Sequence, residues 1–464
     1  MDGKLMGGQS MNPHNPTRRA VLATLGAGAL GRAQILGPIL GGRLTVPRNG
    51  LIARYEIGGT AGTQGTAIGT FKDLSGNGFD ATQSTAVNKP AVNTRTVSGG
   101  RALLFNGSAT ASSNFSYMSM PAGVAPSSQS LSAVMIMEPT AVSGTNDQYA
   151  LDFSASNNNA YIRYNPQLKG GPAIGASSPG MYIPWGPQMF GFSSSAAVWK
   201  YILRNAFSSS AGTVAGSSPT GGSIMCFGAG QFNASGNLYA LFVYSRALTQ
   251  ADINQIWNYA QAVYRCRPIS AQMLLACCGD SQTSGYTASS YNGLGWLQQW
   301  LIANPAYTAY NFGLTGSKTS ALNSPDAIYS SAPSKRICFI WSGTNDNATG
   351  AAGTWVAGSL TNIQNFVNAR RATGWKVVTA TMLPRTGGVT NGSYETDRQT
   401  FNTALTTNSG GIYGDAIADV GSNSTIGVAG AQNNAVYYGS DTTHLNQAGL
   451  TIAEGIFASA IAAI

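Results

Sequence analysis

From Asn49 to Arg267 the apolar positions come in short runs separated by clusters of Gly, Ser, Asn and Pro, and helical spacing is absent until the stretch ends. That pattern predicts an all-β region. Strands are expected at Gly50 to Tyr55, Ala102 to Phe105, Ser130 to Met137, Ala160 to Tyr164, Ala197 to Leu203 and Asn237 to Tyr244. A helix is expected from Thr249 to Tyr264, where Ile253, Ile256, Trp257 and Ala260 recur at helical spacing and Thr249 can cap the first turn. At Pro268 the pattern changes. Strand-like runs at Met273 to Cys278, Ala306 to Asn311, Ile337 to Trp341, Lys376 to Met382 and Ala416 to Val420 alternate with helical stretches at Gly293 to Ala303, Thr354 to Thr373, Tyr394 to Leu405 and Asn446 to Ile464. Alternation of this kind predicts an α/β fold with a largely parallel sheet. Ligands bind such sheets beyond the carboxyl ends of the strands.

The length of 464 residues fits this division into two domains, 49–267 and 268–464, behind a leader at 1–48. Charged residues are only 9% of the chain, with Gly, Ser, Thr, Ala and Asn filling the polar surface, as in secreted or virion-type proteins. The formal charge of +9 would suggest nucleic acid if it were clustered on a folded surface. Residues 1–48 hold six bases and one acid, so only four net positive charges remain, and they form no stripe that could track a phosphate backbone. A nucleic-acid partner is therefore not expected. Thr17-Arg18-Arg19 precedes the weakly apolar stretch Ala20 to Leu30, which resembles a twin-arginine export signal, with a structural N-terminal arm as the alternative. That stretch is too short to span a bilayer, and no later segment is a membrane-spanning candidate.

Five cysteines, an odd number, imply no disulfide framework. A bridge between Cys226 and Cys266 is allowed in an exported protein. Cys277 and Cys278, neighbours on an expected strand, should point to opposite faces as small core residues.

Only two histidines occur, and His14 lies in the leader, so His444 is the single imidazole of the folded part. It is thus the sole side chain there whose ordinary titration falls near neutral pH. One histidine and no C-x-x-C also argue against a hydrolytic zinc site, and neither a P-loop nor a dinucleotide fingerprint is present. No cofactor and no metal are expected.

Four short motifs succeed the expected strands. Gly279-Asp280-Ser281-Gln282-Thr283 would hold a hydroxyl on a strand-to-helix turn. Asn311-Phe312-Gly313-Leu314-Thr315-Gly316-Ser317 offers glycine amides that a ligand can approach closely. Gly343-Thr344-Asn345-Asp346 adds a carboxamide donor, and Asp441 stands three residues before His444. Taken alone, Gly-Asp-Ser reads as an ordinary polar turn and the glycine motif as a tight turn.

Together and in this order they resemble the SGNH or GDSL-type hydrolases. That resemblance implies a three-layer α/β domain with a flavodoxin-like parallel sheet. It makes Ser281 the nucleophile, His444 the base and Asp441 its orienting acid. The oxyanion donors would be the Ser281 amide, Gly316 and Asn345, with Gly316 preferred to Gly313 from the family's N-x-G-x-x-G spacing. Gln282 and Thr283 depart from the Leu-Ser of the family's name, which leaves lipase-like specificity unsupported. Chemically the set is coherent, since a serine hydroxyl needs an adjacent base and that base needs a partner to hold its tautomer.

The first region resembles the concanavalin A-like or LamG-type jelly-roll sandwich. The resemblance rests on Leu51 to Tyr55, Asp73-Leu74-Ser75-Gly76-Asn77-Gly78, Ala102 to Gly107, Tyr117 to Pro121, and Leu238 to Thr249. Such a sandwich implies carbohydrate binding only by analogy. Trp185, Tyr182, Trp199 and Tyr161 could stack on sugar rings or simply pack in the core. The combined expectation is an exported serine esterase removing small acyl groups, O-acetyl above all, from an acylated polysaccharide or glycan. A glycan-binding or virion tail protein with a hydrolase-like scaffold is the alternative from another class, and a lipase or thioesterase is the third reading.

Overall fold

A computed structural model describes residues 44–464, apart from 95, 97, 107–115, 125–129, 141–147, 154–159, 165–168, 175–180, 183–185, 196–197, 205, 212–221, 226–233, 268–272, 285–294, 329–334 and 350. The chain divides into Met1–Leu44 and Thr45–Ile464, and every strand and helix among the described residues belongs to the second unit. The expected leader up to residue 43, His14, Cys226 and Trp185 lie outside the described residues, as do the side chains of Tyr161, Tyr182 and Trp199.

The β-rich region forms two antiparallel sheets of eight strands each among the described residues. The strand Ser235–Tyr244 is buried along its whole length and organises the first sheet. Ser132–Thr140 pairs along one of its edges, while Ala102–Phe105 and Leu51–Glu56 share the other. Its side chains alternate from Ala240 onward, and a register shift between Leu238 and Ala240 puts Tyr239 and Ala240 on the same face. Leu238, Leu241 and Val243 join the apolar core shared with Met118, Leu151, Phe153 and Ile162 of the second sheet region. Tyr239, Ala240, Phe242 and Tyr244 point the other way.

That outer face is covered by α1 (Gln250–Tyr264), which buries Ile253, Ile256, Trp257 and Ala260. A capping box starts the helix: Thr249 Oγ1 accepts from the Asp252 amide and Asp252 accepts from the Thr249 amide. Tyr259 and Tyr264 both donate to Glu56 Oε1 at 2.8 Å, fastening the helix to the sheet through a buried carboxylate. Thr45 and Val46, expected within the leader, pack here too, with Val46 buried and the Thr45 carbonyl accepting from Gln255.

The second half is a five-stranded sheet. Its strands are β1 (Met273–Gly279), β2 (Thr308–Asn311), β3 (Lys335–Trp341), β4 (Lys376–Ala380) and β5 (Ala416–Ala418). They run parallel in the order β2-β1-β3-β4-β5, the doubly wound flavodoxin-like order. Helices α2 (Ser281–Ser284), α3 (Trp296–Ala303), α4 (Thr344–Thr349), α5 (Trp355–Ala372), α6 (Tyr394–Thr407) and α7 (Gln447–Ala462) complete it. Each expected strand and long helix is present with shifted ends: β1, β3 and α6 run one or two residues further than expected and the others are shorter.

Continuous apolar runs suit strands that are buried on both faces. Cys277 lies with Phe339, Trp341 and Val378 against α3 and α7, whereas Cys278 lies with Cys338, Ile340 and Val377 against α5 and α6. The adjacent cysteines therefore do face opposite layers, and both are free thiols, as is the buried Cys266. Phe457 of α7 is wedged among Trp296, Phe339 and Trp341 with ring centres 4.8–5.0 Å away. Burial of a ring that size contributes about 2–3 kcal/mol. The parallel order places the ends of β1, β2 and β3 side by side, with the topological switch point between β1 and β3.

Candidate active site

Gly279 ends β1 where no other residue fits, since a Cβ there would lie 2.0 Å from the Trp341 carbonyl of β3. The chain turns at once into α2. Asp280 Oδ1 accepts from the Gln282 amide at 2.9 Å and caps that turn, which sets Ser281 as its first residue. Thr283 Oγ1 donates to the Trp341 carbonyl at 2.8 Å and ties the turn to β3.

His444 arrives from the far end of the chain, on the loop before α7. Asn446 caps that helix through Ala448 and Gly449, and its amide nitrogen donates to the carbonyls of Ala435 and Val436. The loop closes further through a Gly439 to His444 backbone bond and the Tyr438–Leu445 bridge. Asp441 Oδ1 accepts from the amides of Thr443 and His444, both at 3.1 Å. Its other oxygen, Oδ2, lies 2.5 Å from His444 Nδ1. On the opposite ring edge, His444 Nε2 is 2.7 Å from Ser281 Oγ. With Nδ1 donating to the carboxylate, Nε2 is left to accept the serine proton.

Burial pushes the Asp441 carboxyl up, but the His444 ring and the two backbone amides outweigh it and hold it at about 2. It is ionised at any pH where the imidazole could work. Ser281 is 5% exposed and His444 9%, so the pair is screened from bulk water yet reachable.

The two candidate glycines are separated by their surroundings. The Gly313 amide is taken by Asn311 Oδ1 at 2.9 Å, and a Cβ there would sit 2.4 Å from the Ser284 nitrogen behind the Ser281 turn. Gly316 has φ +79°, the left-handed region, and open space where a Cβ would stand. Asn345, near the start of α4, donates through Nδ2 to the Ser317 carbonyl at 2.9 Å, which brings its carboxamide beside the Gly316 turn and leaves its second N–H uncommitted by that bond. The Leu314 amide donates to the Gly279 carbonyl, holding this turn against the end of β1.

Three residues acquire parts that the motifs did not suggest. Asp346 accepts from Thr319 N, Thr319 Oγ1 and Ser359 Oγ, so it braces the glycine turn against α5. Asp280 is fully buried, and its Oδ2 has no hydrogen-bond partner. Burial pushes the carboxyl up to about 6, against the opposing pull of the Gln282 amide, the His444 ring and the Thr344 hydroxyl. Gln282 Nε2 donates to the Thr443 carbonyl at 2.7 Å. Among the described residues no three His, Cys, Asp or Glu side chains are grouped so as to hold a metal ion.

Residues 277–452 match the model of the GDSL-like Lipase/Acylhydrolase family, and that match supports a hydrolase acting on esters. Among solved structures, a lipolytic protein of the G-D-S-L family from Veillonella parvula is similar at 18% identity and TM-score 0.34, covering 41% of this chain and 100% of its own. Trypanosoma rangeli sialidase is similar at 14% identity and TM-score 0.36 over 47% of this chain, which spans only 34% of the sialidase. Domain 4 of AbnA, a GH43 extracellular arabinanase from Geobacillus stearothermophilus solved with arabinotriose, is similar at 19% identity and TM-score 0.33, covering 46% of this chain and 98% of that domain. No curated protein matches the chain. No helix among the described residues is long and apolar enough to cross a membrane.

Proposed function

We propose that the protein is an exported serine esterase that removes small acyl groups, O-acetyl foremost, from a polysaccharide or glycan. The observation that carries this is the unbroken chain from Ser281 Oγ to His444 Nε2 at 2.7 Å and from His444 Nδ1 to Asp441 Oδ2 at 2.5 Å. His444 takes the Ser281 proton as the oxygen attacks the ester carbonyl, and Asp441 stabilises the imidazolium that forms. The carbonyl oxygen becomes an oxyanion held by the Ser281 and Gly316 amides and the Asn345 side chain. Collapse breaks the bond to the sugar oxygen, which takes the proton from His444 Nε2 and leaves as the free hydroxyl. Water activated by the same imidazole then hydrolyses the acyl-serine.

The β-rich half is read as a concanavalin A-like jelly roll that holds or targets the glycan. Its support is the ordered set of motifs from Leu51 to Thr249 together with two packed antiparallel sheets. Export rests on the Thr17-Arg18-Arg19 stretch and the low charge content. Replacing Ser281 by Ala should abolish hydrolysis of p-nitrophenyl acetate, and undiminished turnover rejects the mechanism. Acetate release from a panel of acetylated polysaccharides, set against p-nitrophenyl esters of rising chain length, tests the substrate class. Preference for long chains would favour a lipase, and glycan binding without any turnover would favour a binding protein.

A further inference from the structure

The GDSL motif places leucine, which has no hydrogen-bonding side chain, at the position that Gln282 occupies here. In this chain Gln282 is 3% exposed and its Nε2 donates to the Thr443 carbonyl at 2.7 Å. That carbonyl belongs to the peptide unit whose other end is the His444 amide, which donates to Asp441 Oδ1 at 3.1 Å. A peptide is planar, so fixing both ends fixes the plane from which the His444 side chain departs. Gln282 also comes directly after Ser281. A closed ring results, running from Ser281 through the Gln282 side chain to the Thr443–His444 peptide, along the imidazole and back to Ser281 Oγ.

We propose that Gln282 is a positioning residue that sets the register of His444 against Ser281 by bonding the peptide that carries the imidazole. This inference rests on the triad reading above. Asp441 fixes the ring and its tautomer from within the loop. Gln282 ties the whole loop to the nucleophile turn, a link that Asp441 cannot make because it lies on the same loop as His444. The anchors of this loop from the β4 side bypass Ser281: Thr386 is bonded to Thr442 through both its amide and its hydroxyl, and Thr443 Oγ1 donates to the Gly387 carbonyl.

The test uses the full chain with Gln282→Leu and Gln282→Glu, assayed on p-nitrophenyl acetate and read by NMR of ring-labelled histidine. Only two histidines occur, so His444→Ala assigns the signals. With Leu, kcat should fall roughly ten- to a hundred-fold, the scale of a small misplacement of a catalytic group, while KM changes less than about twofold. The Asp441-bonded Nδ1 proton should shift or broaden at an unchanged melting temperature. With Glu, a protonated acid can still donate to the Thr443 carbonyl and a carboxylate cannot. Its activity relative to the native enzyme should therefore decline as pH rises through the titration of that acid, with Asp280, Asp441 and His444 as the neighbouring ionisable groups. Native kcat and an unchanged resonance in the Leu variant overturn the inference, as does an equal, pH-independent loss in both variants with the resonance unmoved. Ser281→Ala in the same assay keeps the two claims apart: activity surviving there overturns the triad reading itself. If the Leu variant does not fold, the Glu variant compared across pH decides alone.

Discussion

Asp280 makes the structure's most quantitative prediction. Its side chain is fully buried, Oδ1 accepts one amide from Gln282, and Oδ2 has no partner. Burial disfavours the carboxylate and Asp346 repels it, while the Gln282 amide and His444 assist it, with burial prevailing to give a carboxyl near 6 against 3.8 in the open chain. Between those values the folded protein holds a proton that the unfolded chain has lost. Stability contributed by that proton is fully present below 3.8 and is lost as pH rises through about 6. The gap of 2.2 pH units, at about 1.36 kcal/mol each, is about 3 kcal/mol. Asp280→Asn keeps an oxygen for the Gln282 amide and cannot ionise. The stability of the native protein should thus fall relative to the variant by about 2–2.5 kcal/mol from pH 4 to pH 7. Urea unfolding monitored by tryptophan fluorescence measures this, because Trp296, Trp300, Trp341 and Trp375 are all buried in that half. Parallel stability curves for the two proteins across that range would refute the argument.

The same geometry sets two further outcomes. In Asp441→Asn the two backbone amides should keep the carboxamide oxygen at the Oδ1 position, which turns the NH2 group toward His444 Nδ1. That forces the proton onto Nε2, where it blocks acceptance from Ser281, and kcat should fall about 10⁴-fold near neutral pH; a loss under tenfold in steady-state assays would contradict the tautomer argument. Asn345→Ala removes the donor beside the Gly316 turn and should lower kcat about 10²- to 10³-fold with a smaller change in KM. An effect confined to KM would place Asn345 in ground-state binding.

The alternation of short apolar runs and helical stretches was enough to locate the layers of the second half, because strands buried on both faces must be continuously hydrophobic. Thr249 could be read as a helix start since its capping partner Asp252 lies three residues away. Ser281, Gly316, Asn345 and Asp441 with His444 were readable for a related reason: each sits in a compact motif at the end of an expected strand or just before a helix. Gln282 reads in the sequence only as a departure from the family's leucine. Its partner is 161 residues distant, and no local pattern announces a hydrogen bond across that interval. Asp280 and Asp346 were equally silent, as burial and bracing depend on what the rest of the chain packs around them.

By itself the sequence determined the periodicity of the elements, the change from a β-rich to an alternating α/β pattern and the order of four chemical motifs, all of which depend on residues close together in the chain. Tertiary structure decided which strands pair, that the Gly313 amide is engaged by Asn311, and how Ser281 meets a histidine 163 residues later. Those outcomes depend on close packing across the sheet, where one amide held by Asn311 or one carbonyl reached by Gln282 fixes a geometry that spacing along the chain cannot specify.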